Sequence, residues 1–409
     1  MGLLKPIARR LDLQSVRGTV AFELTNFKNL RERFRFGELV ATPLDQGVWT
    51  LLEPAGQQNH APQLCWIGPD ELACVWMAGD QEGTASMSVY GCVLRRDKKS
   101  WTKPRLLSQD AGRSEQNPLL FRSNDGRVHL IHTAQVTRNA QDASWQANGG
   151  AFSMQWTARL RHQSTASWGR PWTNAQDLID EPAFCRHPPV AHPQGGWILP
   201  VYRSLEEGGA FGRDHSGVLP LDERGRVQGD LIEVPESVGR VHGSIVRSAN
   251  GSRLLQFFRS RLADCIYRSV GSLDGMQWSS PEPTVLPNNN SSLMAIRLTS
   301  GLLALVFNRF GTGYQDQPQW GQALWPRTRW PLSIAFSEDD GATWPWVRDL
   351  DHGLGFCGDA NWHLNGQLAY PSIVEGAPGE IHLAYSWANR AAIRYVCLKA
   401  FELMGREFD

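Results

Sequence analysis

The chain has 409 residues, 41 Lys and Arg balanced by 41 Asp and Glu, and an unusual wealth of Trp (17), Gly (39) and Pro (24). Zero net charge removes the electrostatic case for a nucleic acid or an acidic membrane surface as partner, and many turn formers without a long apolar-periodic stretch exclude a helical protein. Only 6 of the 41 basic residues are Lys, so the positive charge is carried by planar guanidinium groups suited to gripping carboxylates.

At the N-terminus, "MGLLKPIARRLDLQ" lacks an apolar run of signal-peptide length, and no later segment approaches a membrane span. The chain as given therefore reads as cytoplasmic, exported only if a leader preceded it. Seven scattered Cys with no CxxC pair read as free thiols rather than a disulfide framework or a zinc site. Residues 15–58 contain short strands expected to close the fold or to add one further unit.

From residue 59 onward a repeat sets the pattern. Six segments place a polar residue and a small residue or proline ahead of an apolar strand: "NHAPQLCWI" (59), "QNPLLFRS" (116), "RHPPVAH" (186), "VHGSIVRS" (241), "NNSSLMAIRL" (289) and "AYPSIVEG" (369). Each is followed, 10 to 12 residues after its polar leader, by a second strand such as "ELACVWMAG" or "EIHLAYSW". A second marker, complete in "SEDDGATW" (337–344) and reduced to little more than its Trp in "DGMQWSSP", "ASWGRP" and "KSWTKP", reads as a turn between outer strands, its polar side chains bonding backbone donors and its Trp packing between sheets. Near-equal repeats of four short strands predict an all-β fold, a β-propeller of six blades with a seventh open to residues 15–58. No linker or composition shift divides the chain, so residues 1–409 read as a single domain, with the blades in 59–398.

In a propeller the innermost strands run in one direction around a common axis, so residues that start them meet on one face. The repeat thereby gathers His60, Asn117, His187, His242, Asn290 and Tyr370 into a ring. Second strands return to that face, and their far ends read Asp80, Gln135, Arg203, Arg259, Arg261, Arg309 and, just past Trp387, Arg390, while Arg186 leads the third repeat. Titratable rings walled by arginines suit an anionic, hydroxyl-rich ligand, here an acidic carbohydrate. No cofactor or metal motif occurs, although a structural cation on the axis would suit the Asn-rich ring. Nothing in the pattern selects an oligomeric state.

These segments resemble the sialidase-like BNR/Asp-box β-propeller superfamily over about residues 60–396. "SEDDGATW" looks like its Asp-box, and "RHPPV", "VHGSIVRS", "LPNNNSS" and "AYPSIVEGAPGEIHLAYSW" look like its BNR repeats. For a sialidase the resemblance implies Tyr370 as nucleophile and Asp80 as acid, but "NHAPQL" has His60 where the family's F/Y-R-I-P motif has an Arg of the carboxylate-binding triad. That His is similar instead to propeller-type polysaccharide lyases, including rhamnose–glucuronate lyases.

The expected function is thus cleavage of a uronate-containing glycan or oligosaccharide by β-elimination. His60 and His242 are the candidate bases, Tyr370 the acid or its helper, and Arg203, Arg259 and Arg261 the carboxylate clamps, with Arg186, Arg309 and Arg390 as further substrate contacts. Asn117, His187 and Asn290 would position hydroxyls. The alternatives are a sialidase-like glycoside hydrolase using Tyr370 and Asp80, and a non-catalytic glycan-binding propeller.

Overall fold

In a computed structural model of the chain, which describes residues 35–42, 47–137, 155–204, 213–313, 323–326, 328–353 and 367–405, short apolar strands alternate with tight turns and assemble into six antiparallel sheets. Each sheet is one blade of a β-propeller. The first contains Gln58–Gly68, Glu71–Gly79, Ser88–Arg95 and Arg105–Ser108, from the axis outward, and the fourth Arg240–Arg247, Arg253–Ser260, Cys265–Ser272 and Glu282–Pro287. In the sixth blade Ala369–Glu375, Glu380–Trp387 and Ala392–Lys399 come from the C-terminal end of the chain. Its remaining strands, Val48–Leu51 and Val40–Ala41, come from the N-terminal part, with Val48 opposite Cys397 and Leu51 opposite Arg394. Those N-terminal strands complete an existing blade, so no seventh sheet forms among the described residues; residues 15–34 lie outside them.

Helix is confined, among the described residues, to the 3-10 turn Gln155–Thr157 and the five-residue Ala400–Met404, so no helix there is long and apolar enough to cross a membrane. The core lies between blades. Met294, Val306, Ile334 and Phe336 of the fifth blade pack with Ile373, Leu383 and Tyr385 of the sixth, and Phe257 of the fourth packs with Leu303, Leu305 and Phe307 of the fifth. The turn after Leu332–Ser337 is held by its own side chains. Asp339 accepts from the amide of Thr343 at 2.8 Å, Ser337 Oγ accepts from the amide of Gly341 at 2.8 Å, and Trp344 is buried beside Phe257.

One irregularity recurs and prepares the site. In the inner strands of the first, second, fourth and sixth blades the ladder slips by one residue, between His60 and Gln63, Gln116 and Leu119, Val241 and Ser244, and Ala369 and Ser372. Each slip is a β-bulge containing a non-glycine residue with left-handed backbone: Ala61 (φ 55°), Asn117 (49°), His242 (54°) and Tyr370 (56°). Asn290 has the same conformation (56°) ahead of the fifth inner strand, and His187 sits in the gap between Phe184–Cys185 and Val190–Ala191 of the third. A bulge re-aims a side chain, and left-handed backbone costs such residues of order 1 kcal/mol, a combination that collects at functional sites. After His242 the chain requires Gly243, because a Cβ there would come within 2.0 Å of Gln256 Nε2. His60 stands one position before the bulge slot, which Ala61 fills, a correction to the expected ring that follows from Pro62 marking the bulge rather than from the polar residue itself.

Candidate functional site

Tyr370 is the centre of the cluster. Its bulged backbone places the hydroxyl 2.7 Å from Arg259 NH1, the donor in that bond. The guanidinium carbons of Arg186, Arg259 and Arg329 lie 5.3, 5.7 and 5.8 Å from the centroid of its ring. Burial alone would raise the phenol's pKa, but Arg259, Arg329 and Arg390 outweigh it, against an opposing push from Glu82, and the group titrates below the ordinary tyrosine value.

Arg259 is fixed from several sides. Its Nε donates to Asn290 Oδ1 at 2.7 Å, and Asn290 in turn donates to the carbonyl of Leu324 at 2.7 Å, tying down the loop that carries Trp325. The exposed indole of Trp325 covers Arg259 and Arg261 at 5.1 and 5.4 Å. Arg390, on the left-handed turn Ala388–Arg390, pairs with Glu82 at 2.5 Å. Arg329 is held by desolvation at a pKa of about 10 and has no salt bridge among the described residues.

Two buried histidines complete the wall. The ring of His60 lies 4.2 Å from that of Tyr370, and His242 meets Tyr370 edge-on at 5.4 Å. Burial first, then Arg390, Arg329, Arg186 and Arg259, hold His60 far below its ordinary pKa, and burial followed by Arg259 and Arg261 does the same to His242. Both are therefore neutral near pH 7. Ser386 Oγ, which accepts from the amide of Ala61 at 3.3 Å, lies 2.7 Å from His60 Nδ1, and His60 Nε2 is a buried atom with no protein partner. At His242 the long Arg259 contact (3.5 Å) occupies Nε2 and leaves Nδ1 without a partner. Each neutral imidazole thus keeps one buried ring nitrogen without a protein partner, a donor or an acceptor according to the tautomer.

The other expected residues divide. Asn117 occupies its bulge slot, buried. His187 is buried with Nε2 3.4 Å from Ser292 Oγ, and burial followed by Arg186 keeps it neutral. Arg186 lies within the ring but crosses it, donating to the carbonyls of Pro62 and Tyr370 at 3.1 and 2.9 Å; it braces the first and sixth blades. Arg261 is bound through Nε to Asp214 Oδ2 at 2.6 Å, so its charge is matched inside the protein.

Three expected residues are placed otherwise. Arg309 donates to Asp349 on the outermost strand of its blade at 2.8 Å. Arg203 borders a recess with Glu181, Asp230 and Glu233 at the outer edge of the third blade. Alternation along a strand sends successive side chains to opposite faces, and these two fell on the outward one. Asp80 is exposed, and within its loop it is Glu82 that reaches the arginines. Arg329 and Trp325 were not among the expected site residues; the only cue to them was the run "LWPRTRWP" bracketing arginines with Trp and Pro. A cavity of about 440 Å³ lies along other stretches of the same inner strands, lined by Pro188, Val190, Ile245, Met294, Ile296 and Ile373. It is apolar and, His187 apart, contains none of the clustered groups.

Comparison with known proteins agrees with this architecture. The model of the BNR repeat-like domain family matches residues 70–383, and the chain belongs to that family, within the sialidase-like propeller superfamily. No curated protein matches the sequence. Among solved structures the fold is similar to the Hadza microbial sialidase Hz136, with TM-score 0.64 and 13% identity over 84% of this chain and 66% of the sialidase, so the chain spans slightly less than two thirds of that protein's length. It is also similar to the NanB sialidase from Streptococcus pneumoniae, with TM-score 0.62 and 11% identity over 90% of this chain and 70% of that one. Penicillium chrysogenum alpha-L-arabinanase, in complex with arabinobiose, gives a TM-score of 0.56 and 11% identity over 90% and 98% of the two chains. Likeness at this level of identity speaks for the fold alone.

Proposed function

We propose that this member of the BNR repeat-like family is a carbohydrate-active enzyme that binds a sugar bearing a carboxylate and hydrolyses its glycosidic bond through Tyr370. One observation carries the reading: the Tyr370 hydroxyl is bonded to Arg259 at 2.7 Å, and the charges of Arg259, Arg329 and Arg390 draw its pKa down. The same guanidinium groups are suited to a ligand carboxylate, because Glu82, the acidic group near Arg329, is paired with Arg390 and forms no salt bridge with Arg329 among the described residues. The sialidases and the arabinanase that share the fold make a sugar the natural ligand class.

In this mechanism the substrate carboxylate is held by the arginines, with His60 Nε2 and His242 Nδ1 hydrogen-bonded to neighbouring hydroxyls. The phenolate oxygen of Tyr370 attacks the anomeric carbon as the bond to the leaving oxygen breaks, and that oxygen takes its proton from solvent, since Asp80 is exposed and it is Glu82 that reaches the arginines. Water then attacks the anomeric carbon and gives its proton to solvent as the bond to Tyr370 breaks, which restores the phenolate. Glu82 opposes ionisation of the phenol and so keeps its pKa from falling further.

A second reading keeps the expected lyase. The same lowered phenol could take the proton α to a uronate carboxylate, with the arginines stabilising the enolate-like intermediate. Incubation with a fluorogenic sialoside and with uronate-containing oligosaccharides separates the two. Hydrolysis releases fluorophore or reducing sugar without a new ultraviolet-absorbing double bond, whereas elimination creates one. Turnover of neutral arabinan alone, or full activity in Tyr370→Phe, would sink both.

A further inference from the structure

The sixth blade carries a second constellation that the proposed reaction does not use. His382 on Glu380–Trp387 lies directly across the ladder from Cys397 on Ala392–Lys399, and Glu380 pairs in the same way with Lys399. Because side chains alternate along a strand, Glu380, His382, Tyr395, Cys397 and Lys399 share one face of the sheet. His382 Nε2 is 2.9 Å from Glu380 Oε1, and Nδ1 is 2.7 Å from the hydroxyl of Tyr395. Lys399 Nζ donates to the second carboxylate oxygen of Glu380 at 2.9 Å. The ligand atoms of Glu380, His382 and Cys397 all lie within 4.8 Å of one another.

Gly376 supplies an independent observation. A Cβ at this position would come 2.5 Å from His382 Nε2 and 2.9 Å from Glu380 Oε1. Its backbone is not among the left-handed glycines, so what the missing side chain provides is room, beside two of the three ligand atoms.

We propose that Glu380, His382 and Cys397 bind a divalent transition cation of the zinc type, with a fourth position open to water. Thiolate and imidazole donors select such a cation over calcium or magnesium, which prefer oxygen shells, and a carboxylate completes the usual ligand set. The cation takes the place of the proton shared by His382 Nε2 and Glu380. The imidazole then carries its remaining proton on Nδ1 and donates it to Tyr395, an outer partner that fixes the ring. The cation must displace the thiol proton of Cys397, so affinity rises with pH. Lys399 competes for Glu380 and weakens the site.

Titration of the native protein with Co²⁺ tests this. One equivalent is expected to produce a thiolate-to-cobalt charge-transfer band that Cys397→Ser abolishes. Glu380→Gln is expected to weaken binding at least about tenfold, and Lys399→Gln to tighten it. In a measurement that needs no variant, saturating Zn²⁺ should block alkylation of Cys397 by iodoacetamide without protecting Cys65, the other half-buried thiol among the described residues. Absence of the band, its survival in Cys397→Ser, or equal alkylation of Cys397 with and without Zn²⁺ would overturn the proposal.

Discussion

Arginines at the rim of the propeller and arginines at its axis obey different rules. At the rim several are answered by a carboxylate: Arg161 by Asp110 at 2.6 Å, Arg394 by Asp351 at 2.6 Å, Arg95 by Glu71 at 3.0 Å, and Arg309 by Asp349. At the axis, Arg186, Arg259, Arg329 and Arg390 surround Tyr370, and among the described residues Glu82 is the one carboxylate in a salt bridge with any of them. Exposed one-to-one pairs contribute little to stability. A surplus of guanidinium groups in a partly desolvated ring is costly unless an anion completes it, which explains both the lowered phenol and the need for a ligand.

The sharpest way to break this comparison is to remove the group on which the axial charge converges. Tyr370→Phe is expected to lower kcat for a carboxylated glycoside by about 10³-fold or more while the melting temperature changes little; a modest loss would mean that the axial arginines serve binding alone. Next comes an arginine from each region. Arg329→Ala should cost about 10- to 100-fold in kcat/KM, the range of a charged hydrogen bond, and should move the ionisation of Tyr370 upward, because a charge that lowers it is gone. Arg309→Ala at the rim should leave kinetics unchanged and stability within about 1 kcal/mol.

The buried histidines extend the comparison to pH. His60, His187 and His242 are held below the ordinary value by burial first, so unfolding at mildly acidic pH lets them bind protons that the native state refuses. Their contribution is fully present above about pH 6.5, the ordinary histidine value, and is lost as pH falls toward the depressed native values. At the blade edge, His129 and His162 titrate at about 4 in the folded protein through burial, with His162 adding to the shift of His129. They add to the loss between about pH 6.5 and 4 at up to about 1.4 kcal/mol per pH unit for each histidine. Urea unfolding across this range should show stability rising with pH, and a flat profile would contradict neutral native imidazoles. A stability effect alone is expected at the outer turn, where Asp339→Ala removes bonds to Thr343 and should cost about 1 kcal/mol by thermal unfolding.

How far the sequence disclosed this molecule depended on periodicity. Asn117, His242, Asn290 and Tyr370 each stand 11 or 12 residues ahead of a second strand, so the propeller and the repeat slot of these residues were legible. Placement one residue off, as with His60 and Ala61, follows from a bulge that inserts a residue the hydrophobic pattern cannot count. Arg203 and Arg309 share the slot of Arg259 in the repeat but present to the rim, since orientation depends on alternation at strand ends. Arg329 was hidden for a different reason: it sits in a loop between strands, outside any repeat, and reaches the axis only through tertiary geometry.

The pairing of Val48–Leu51 with Ala392–Lys399 gives the fold a temporal dimension. During synthesis the strand that closes the ring emerges early and its partner last, a delay on the order of tens of seconds at ~5–20 residues per second. Until then the growing chain displays two unpaired sheet edges, one at each end of an open arc, and edges of that kind recruit other chains. Once they meet, this seam joins the two ends of the arc and both edges are paired.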